Sequence, residues 1–187
     1  MRVIAGTARG VRLRTLPGTD ITRPTVDRVK EGMFSALQFL LPGAWVLDLF
    51  AGSGQLGIEA LSRGADFCVF IDENRGAVRI VEENLRAAGL AQRAEVRCAN
   101  AQGFLAGTAE QFDILLLDPP YRHGTLQALL PSLGRVMAPG GVALCESERE
   151  TVMPQRAGEL VLKKQYRYGT VLVSRYEKER PKGEIEA

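Results

Sequence analysis

The chain has 187 residues, 45% of them hydrophobic and 25% charged, with a net charge of +2, which is the size and balance of one globular domain with a sizeable core. No apolar run approaches the roughly 20 residues that span a bilayer, and Met1–Gly6 lacks the apolar stretch of a signal peptide, so a cytoplasmic protein without membrane spans is expected. Cys68, Cys98 and Cys145 are odd in number and far apart, and His123 is the only histidine; this excludes a structural zinc site and suggests three buried free thiols.

In chain order, residues 1–24 carry Gly6, Gly10, Pro17, Gly18 and Pro24 among short apolar stretches, the pattern of a β-hairpin or irregular arm. Charge is uneven there. Arg2, Arg9, Arg12, Arg14, Arg23, Arg28 and Lys30 crowd the first thirty residues against Asp20 and Asp27. With Lys163, Lys164, Arg167 and Arg175 near the other end, they can form a phosphate-facing patch. A solvated surface is the other reading of the same charge.

A helix is expected from about Thr25, acting as cap, with Val26, Val29, Met33, Leu37 and Leu40 on one apolar face and Pro42-Gly43 as its stop. Strand-like runs follow at Val46–Phe50, Phe67–Ile71, Ala94–Cys98, Phe112–Leu117 and Val142–Cys145. Helical segments separate the first of them, the clearest being Arg75–Ala88, with Val78, Val81, Leu85 and Ala88 on one face and Gly89 beyond. Such alternation implies right-handed βαβ units and a parallel sheet covered on both faces. Two β-rich runs, Glu159–Arg167 and Thr170–Tyr176, then meet at Tyr168-Gly169 as an antiparallel hairpin, so the sheet is expected to be mixed. Glu177–Ala187 reads as a frayed charged tail. The expected division is an arm of residues 1–24 and an α/β domain of 25–187.

Two segments carry chemistry. Val46–Asp48 runs through Leu49, Phe50 and Ala51 into Gly52, Gly54 and Gly57, a strand, a glycine-rich turn and a helix start. Gly52 and Gly54 allow close backbone approach to a ligand, Gly57 allows tight helix–strand packing, and Asp72 ends the next strand where a carboxylate can hold ribose hydroxyls. Alone, this pattern also fits an NAD site. Asp48, inside the strand, instead suits the cationic amine of S-adenosylmethionine, and the chain is too short for a separate substrate domain.

The second segment ends the buried strand Phe112–Leu117 with Asp118-Pro119-Pro120-Tyr121. It resembles motif IV of the amino-methyltransferases, which methylate exocyclic nitrogens of nucleic-acid bases. Such an amine is a poor nucleophile because its lone pair is delocalised into the ring. Asp118 and the Pro119 carbonyl can accept its two N–H groups, the prolines hold those acceptors in place, and Tyr121 can stack on a base that has been flipped out or is already unpaired.

The N-terminal stretch narrows the resemblance. Arg2–Gly6 with Gly10, and Arg23-Pro24-Thr25 continuing to Phe34, are similar to the small bacterial 16S rRNA guanine-N2 methyltransferases of the RsmD type. The similarity extends through Asp48–Gly54, Asp118–Tyr121 and the Tyr168-Gly169 hairpin, nearly the whole chain. It implies a three-layer αβα, Rossmann-like class I fold with a seven-strand sheet, S-adenosyl-L-methionine as donor and a guanine of small-subunit rRNA as acceptor, within the subunit or an assembly intermediate. A monomer is expected.

Carried over, the resemblance gives Asp48, Phe50, Gly52 and Gly54 to the methionine end, Asp72 to the ribose and Asn100-Ala101 to the adenine, with Asp118 closing the site. Family members often have Asp where Asn100 stands. Catalysis falls to Asp118, Pro119 and Tyr121, and RNA contact to Arg2, Arg9, Arg12, Arg14, Arg23, Pro24 and Thr25. His123 is read as a loop residue or phosphate contact. The other classes left open are a DNA adenine or cytosine methyltransferase, a protein glutamine methyltransferase (which would prefer Asn at 118), an NAD oxidoreductase and a silent RNA-binding module.

Overall fold

The computed structural model describes residues 1–16, 24–120 and 124–179. The chain alternates as expected: α1 (Pro24–Leu37), β1 (Trp45–Asp48), α2 (Gln55–Ser62), β2 (Phe67–Asp72), α3 (Arg75–Ala87), β3 (Ala94–Cys98), α4 (Ala101–Gly107), β4 (Phe112–Leu117) and α5 (Thr125–Val136). Strands β5 (Met137–Glu148), β6 (Arg156–Ala157), β7 (Leu160–Tyr168) and β8 (Val171–Lys178) follow without helices between them.

All eight strands form one sheet in the order β3-β2-β1-β4-β5-β8-β7-β6. Strands β1 to β5 pair in parallel, and β8, β7 and β6 add on in antiparallel fashion. The two-residue β6 makes the sheet one strand larger than the resemblance implies. From β1 the chain winds outward through β2 and β3, then returns to place β4 on the other side of β1. Ligands bind at such a switch point, in the crevice beyond the carboxyl ends of the strands.

The parallel strands are buried on both faces, which accounts for their continuous apolar runs. On one face Val46, Phe70, Ile114, Leu116 and Leu144 pack against α1, α2 and α3; on the other Leu47, Ile71, Leu115 and Leu117 pack against α4 and α5. Residues 1–16 join the first core through Val3, Ala8 and Leu13. Their backbone turns back on itself, with Val3 N donating to Val11 O and Leu13 N to Met1 O, and Arg2 opposite Arg12 forms a single antiparallel bridge rather than paired strands.

Several local expectations are corrected. Helix α1 starts at Pro24, so Thr25 lies in its first turn and is not the cap. Proline is at home there, because a first-turn N–H has no intrahelical acceptor to lose. The helix ends at Leu37, leaving Leu40 42% exposed while Leu41 is buried. On α3 the buried face is Ala77, Val81, Asn84 and Leu85, with Val78 and Ala88 half-buried. Strand β5 is longer than Val142–Cys145 because β8 pairs with it from Val142 to Glu148. Glu177 and Lys178 belong to β8, where they pair with Val161 and Leu160, and Lys178 Nζ donates to the Gly134 and Met137 carbonyls. Cys98 is exposed, because its strand lies at the open edge of the sheet; Cys68 and Cys145 are buried.

Candidate active site

Asp48, the last residue of β1, is 1% exposed. One of its carboxylate oxygens accepts the Gly57 N–H at 2.9 Å; the other, Oδ1, is buried with no hydrogen-bond partner among the described residues. Burial pushes the Asp48 carboxyl up to about 7, against the Gly57 hydrogen bond, and the negative charges of Asp118 and Asp72 push the same way. A buried carboxylate oxygen without a donor is costly, and a cation placed beside it would offset that cost.

The turn after β1 needs its glycines. Gly52 and Gly54 have φ of 55° and 76°, where a side chain would be strained, and nothing lies within 4 Å of a Cβ placed on Gly52. Gly57 is needed for packing: a Cβ there would stand 2.2 Å from the Phe70 ring. Asp72, at the end of β2, holds the turn by accepting Gly52 N and Asn74 N, each at 2.8 Å. Phe50 is half-buried against the second core.

Beyond β3, Asn100 caps α4 by accepting Gly103 N at 2.7 Å, and Ala101 opens that helix. The amide oxygen expected to meet an adenine amino group is therefore already used by the cap, with only its second lone pair left to offer. Asp118 follows β4 and Pro119 is buried beside it. Burial raises the Asp118 carboxyl to about 6.

The predicted cofactor residues thus collect at the carboxyl ends of four neighbouring strands, β3, β2, β1 and β4, from segments spread over seventy residues. The cradle fits S-adenosylmethionine on two counts: an unpartnered buried carboxylate oxygen for a cationic amine, and an open glycine turn for close approach. Tyr121, His123 and Arg23 lie outside the described residues, and Pro24 and Thr25 open α1. Arg2, Arg9 and Arg12 are exposed on the arm; Arg14 is exposed but pairs with Glu83 at 2.8 Å. Lys30, counted with the surface charge in the sequence, is instead 2% exposed, and burial lowers its pKa in spite of Glu59 beside it. Arg175 is likewise committed, to Glu177 at 2.7 Å.

Two positioning residues escaped the sequence reading. Glu59, fully buried on α2, accepts Ile4 N and Ala5 N and pairs with Lys30 and Arg63, fastening the arm to the helix that follows the glycine turn. Asn84 on α3 accepts Arg14 N and donates to Arg14 O and Ser53 O, tying the arm to the turn itself. The signal for Glu59 was a charged residue within the apolar helix α2, where Leu56, Ile58, Ala60 and Leu61 surround it.

Comparison with known proteins gives the family. The family model described as Conserved hypothetical protein 95 matches residues 1–177. The chain is 35% identical over 189 aligned positions to ribosomal RNA small subunit methyltransferase D of Escherichia coli K12, covering 100% of this chain and 94% of that one. It is 39% identical to YlbH of Bacillus subtilis, covering 95% and 99%. The solved structure of yhhF from Escherichia coli superposes with a TM-score of 0.85 at 35% identity, covering 96% of this chain and 98% of the other. The fold is that of the class I methyltransferases, and the chain belongs to the Conserved hypothetical protein 95 family, the family of the RsmD-type methyltransferases.

Proposed function

We propose that this protein methylates the exocyclic N2 of a guanine in 16S rRNA of the bacterial small ribosomal subunit, with S-adenosylmethionine as donor. The observation that carries the reading is the placement of Asp118-Pro119 at the switch-point edge beside the Asp48–Gly52–Asp72 cradle. Full-length similarity to a small-subunit rRNA methyltransferase supports the acceptor.

S-adenosylmethionine supplies a methyl group on a sulfonium, an intrinsically good leaving group. Asp48 would hold the amine end and the turn from Phe50 to Gly54 would contact it, while Asp72 would take the ribose and Asn100-Ala101 the adenine. Asp118 and the Pro119 carbonyl would accept the two N2 hydrogens, which favours a pyramidal nitrogen with a directed lone pair. Fixed acceptors of this kind can contribute about 7–11 kcal/mol in favourable cases. A carboxyl near 6 is mostly ionised at neutral pH, so it accepts hydrogen bonds before transfer. It can also take the N2 proton afterwards, once the new N–C bond has made that proton acidic.

The target must leave its stack, and Tyr121 would replace part of the lost stacking, worth roughly 1–3 kcal/mol. Arg2, Arg9, Arg12, Arg14 and Arg23, with the Pro24-Thr25 helix entry, make residues 1–24 an RNA-gripping arm on a catalytic domain of 25–187. An rRNA acceptor places the proposed activity in the bacterial cytoplasm, where the protein would act as a monomer.

The test is transfer of labelled methyl from S-adenosylmethionine to small ribosomal subunits lacking the modification, followed by digestion to nucleosides. Label in N2-methylguanosine is the expected result. Label in another nucleoside, or in protein only, would overturn the acceptor.

A further inference from the structure

The hairpin of β7 and β8 sorts its charge along its length. At its base the acids are paired, Glu177 with Arg175, Glu159 with Lys178 and Glu179 with Arg156. From Leu160 to Tyr176 the chain has no Asp or Glu, while Lys163, Lys164 and Arg167 are exposed and form no ion pair among the described residues. Lys164 lies over the Tyr166 ring, 5.0 Å from its centroid, and Tyr166 packs against the first core. Tyr168 lies so close to α1 that a Cβ on Gly32 would stand 1.9 Å from its hydroxyl. The cations therefore sit on a strand that is held firmly from one side.

The register puts this strip on the side where the site opens. Leu117 is level with Cys145, whereas β5 continues to Glu148, which is opposite Val171, itself opposite Tyr168. Three residues of strand rise about 10 Å, so the hairpin tip stands beyond the carboxyl end of β4, where Asp118 follows. Arg167 is next to that tip, Lys164 is level with Leu116, and Lys163 is at the bulge below it. Three strand spacings, about 14 Å, separate β7 from β4. The short β6 pairs only with Leu160 and Val161, so beyond them the outer edge of β7 has no strand beside it among the described residues. Glu148 and Glu150, the acids near the tip, line the cavity beyond Pro119 and Pro120.

Charge on an open edge opposes the addition of another strand, so a peptide is a poor occupant. A row of uncompensated cations matches a chain of phosphates. We infer that the edge of β7 from Lys163 to Arg167 holds phosphates of the rRNA strand flanking the target base, which rests on the acceptor proposed above. The N-terminal arm is bonded to α2 and α3, the helices that follow β1 and β2, so the two basic groups bracket β4 along the sheet. Contacts to phosphate fix position and orientation without reading sequence.

The experiment uses the full chain with Lys163→Ala, Lys164→Ala and Arg167→Ala combined, and small ribosomal subunits lacking the modification. KM for subunits is expected to rise about tenfold or more, with kcat within about twofold of wild type, and the slope of log affinity against log salt to fall by about 2–3. Filter binding over a range of salt concentrations reads the slope. Exchanging the same positions by Lys163→Arg, Lys164→Arg and Arg167→Lys keeps the charge and should keep the wild-type slope, as should Arg156→Ala, whose guanidinium is already paired with Glu179. An unchanged KM and slope in the alanine variant would mean that the cations only guard the edge, which overturns the inference and leaves the acceptor intact. A lower kcat with KM unchanged overturns it as well. Failure of the wild type to methylate the subunits would instead overturn the acceptor, and the inference with it.

Discussion

Asp48 and Asp118 carry the same chemical group and are given different work by their surroundings. Asp48 is sealed under the glycine turn with one oxygen unpartnered among the described residues, and its carboxyl is pushed up to about 7; Asp118 stands just past the carboxyl end of β4 with its carboxyl raised to about 6. A cation beside Asp48 favours the ionised form, so binding S-adenosylmethionine should release a proton near pH 7. Affinity should strengthen as the pH rises from 6 to 8, and calorimetry in two buffers of different ionisation enthalpy measures the proton directly. The stability of the ligand-free protein has the opposite sign. Its Asp48 value lies above the unfolded 3.8, so this stabilisation is complete below about pH 4 and is lost as the pH rises through about 7. Thermal melts across that range should show the fall, and added S-adenosylmethionine should reduce it. Asp118→Ala should lower turnover by about a hundredfold or more, by analogy with removing one transition-state acceptor or donor. Its removal also lets Asp48 ionise more readily, which offsets the lost negative charge, so calorimetry should find S-adenosylmethionine binding largely intact.

At the scale of elements, the site depends on how α2, α3 and the arm are fastened together. Glu59 is fully buried and serves two backbone N–H groups of the arm and two cations, Lys30 and Arg63. Lys30 also donates to the Arg2 carbonyl, so a second line runs from α1 to the arm. Glu59→Ala would leave Lys30 buried without its counter-charge, a loss of about 3–5 kcal/mol in comparable buried pairs. Urea denaturation should register that loss, and an unchanged midpoint would show that the pair contributes nothing. The order of elements, their approximate ends and the mixed sheet were legible because apolar periodicity and glycine stops report them directly. The face of α3 was not, since Asn84 counts as polar in any pattern and becomes a core residue only through Arg14 and Ser53. Nor was the true extent of β8, whose charged end is held by pairing with β7.

For the whole molecule, the basic arm is a different object once charge has been sorted into free and committed groups. Lys30 and Arg175 are held by Glu59 and Glu177, and Arg14 by Glu83, whereas Arg2, Arg9 and Arg12 are exposed. Replacing Arg9 and Arg12 with Ala should weaken RNA binding and reduce the slope of log affinity against log salt by about 0.7–0.9 for each phosphate that is no longer neutralised. Arg14→Ala should change that slope less, because its guanidinium is already paired. Filter binding over a range of salt concentrations checks both, and equal slopes for all three proteins would remove the arm from the RNA interface.

What the sequence by itself determined is local. Three spaced glycines after a strand, an acid closing the next one, and Asp-Pro-Pro-Tyr after a buried run are read in order along the chain, because turn chemistry and strand burial act over a few residues. Tertiary structure decided what depends on distance in space: that Asp48 is left with a buried oxygen unpartnered among the described residues, that Asn100 uses its amide as a cap, and that Lys30 is core rather than surface. Each of those follows from strand order and burial, which set the local dielectric and the available partners, and neither is written in residue spacing.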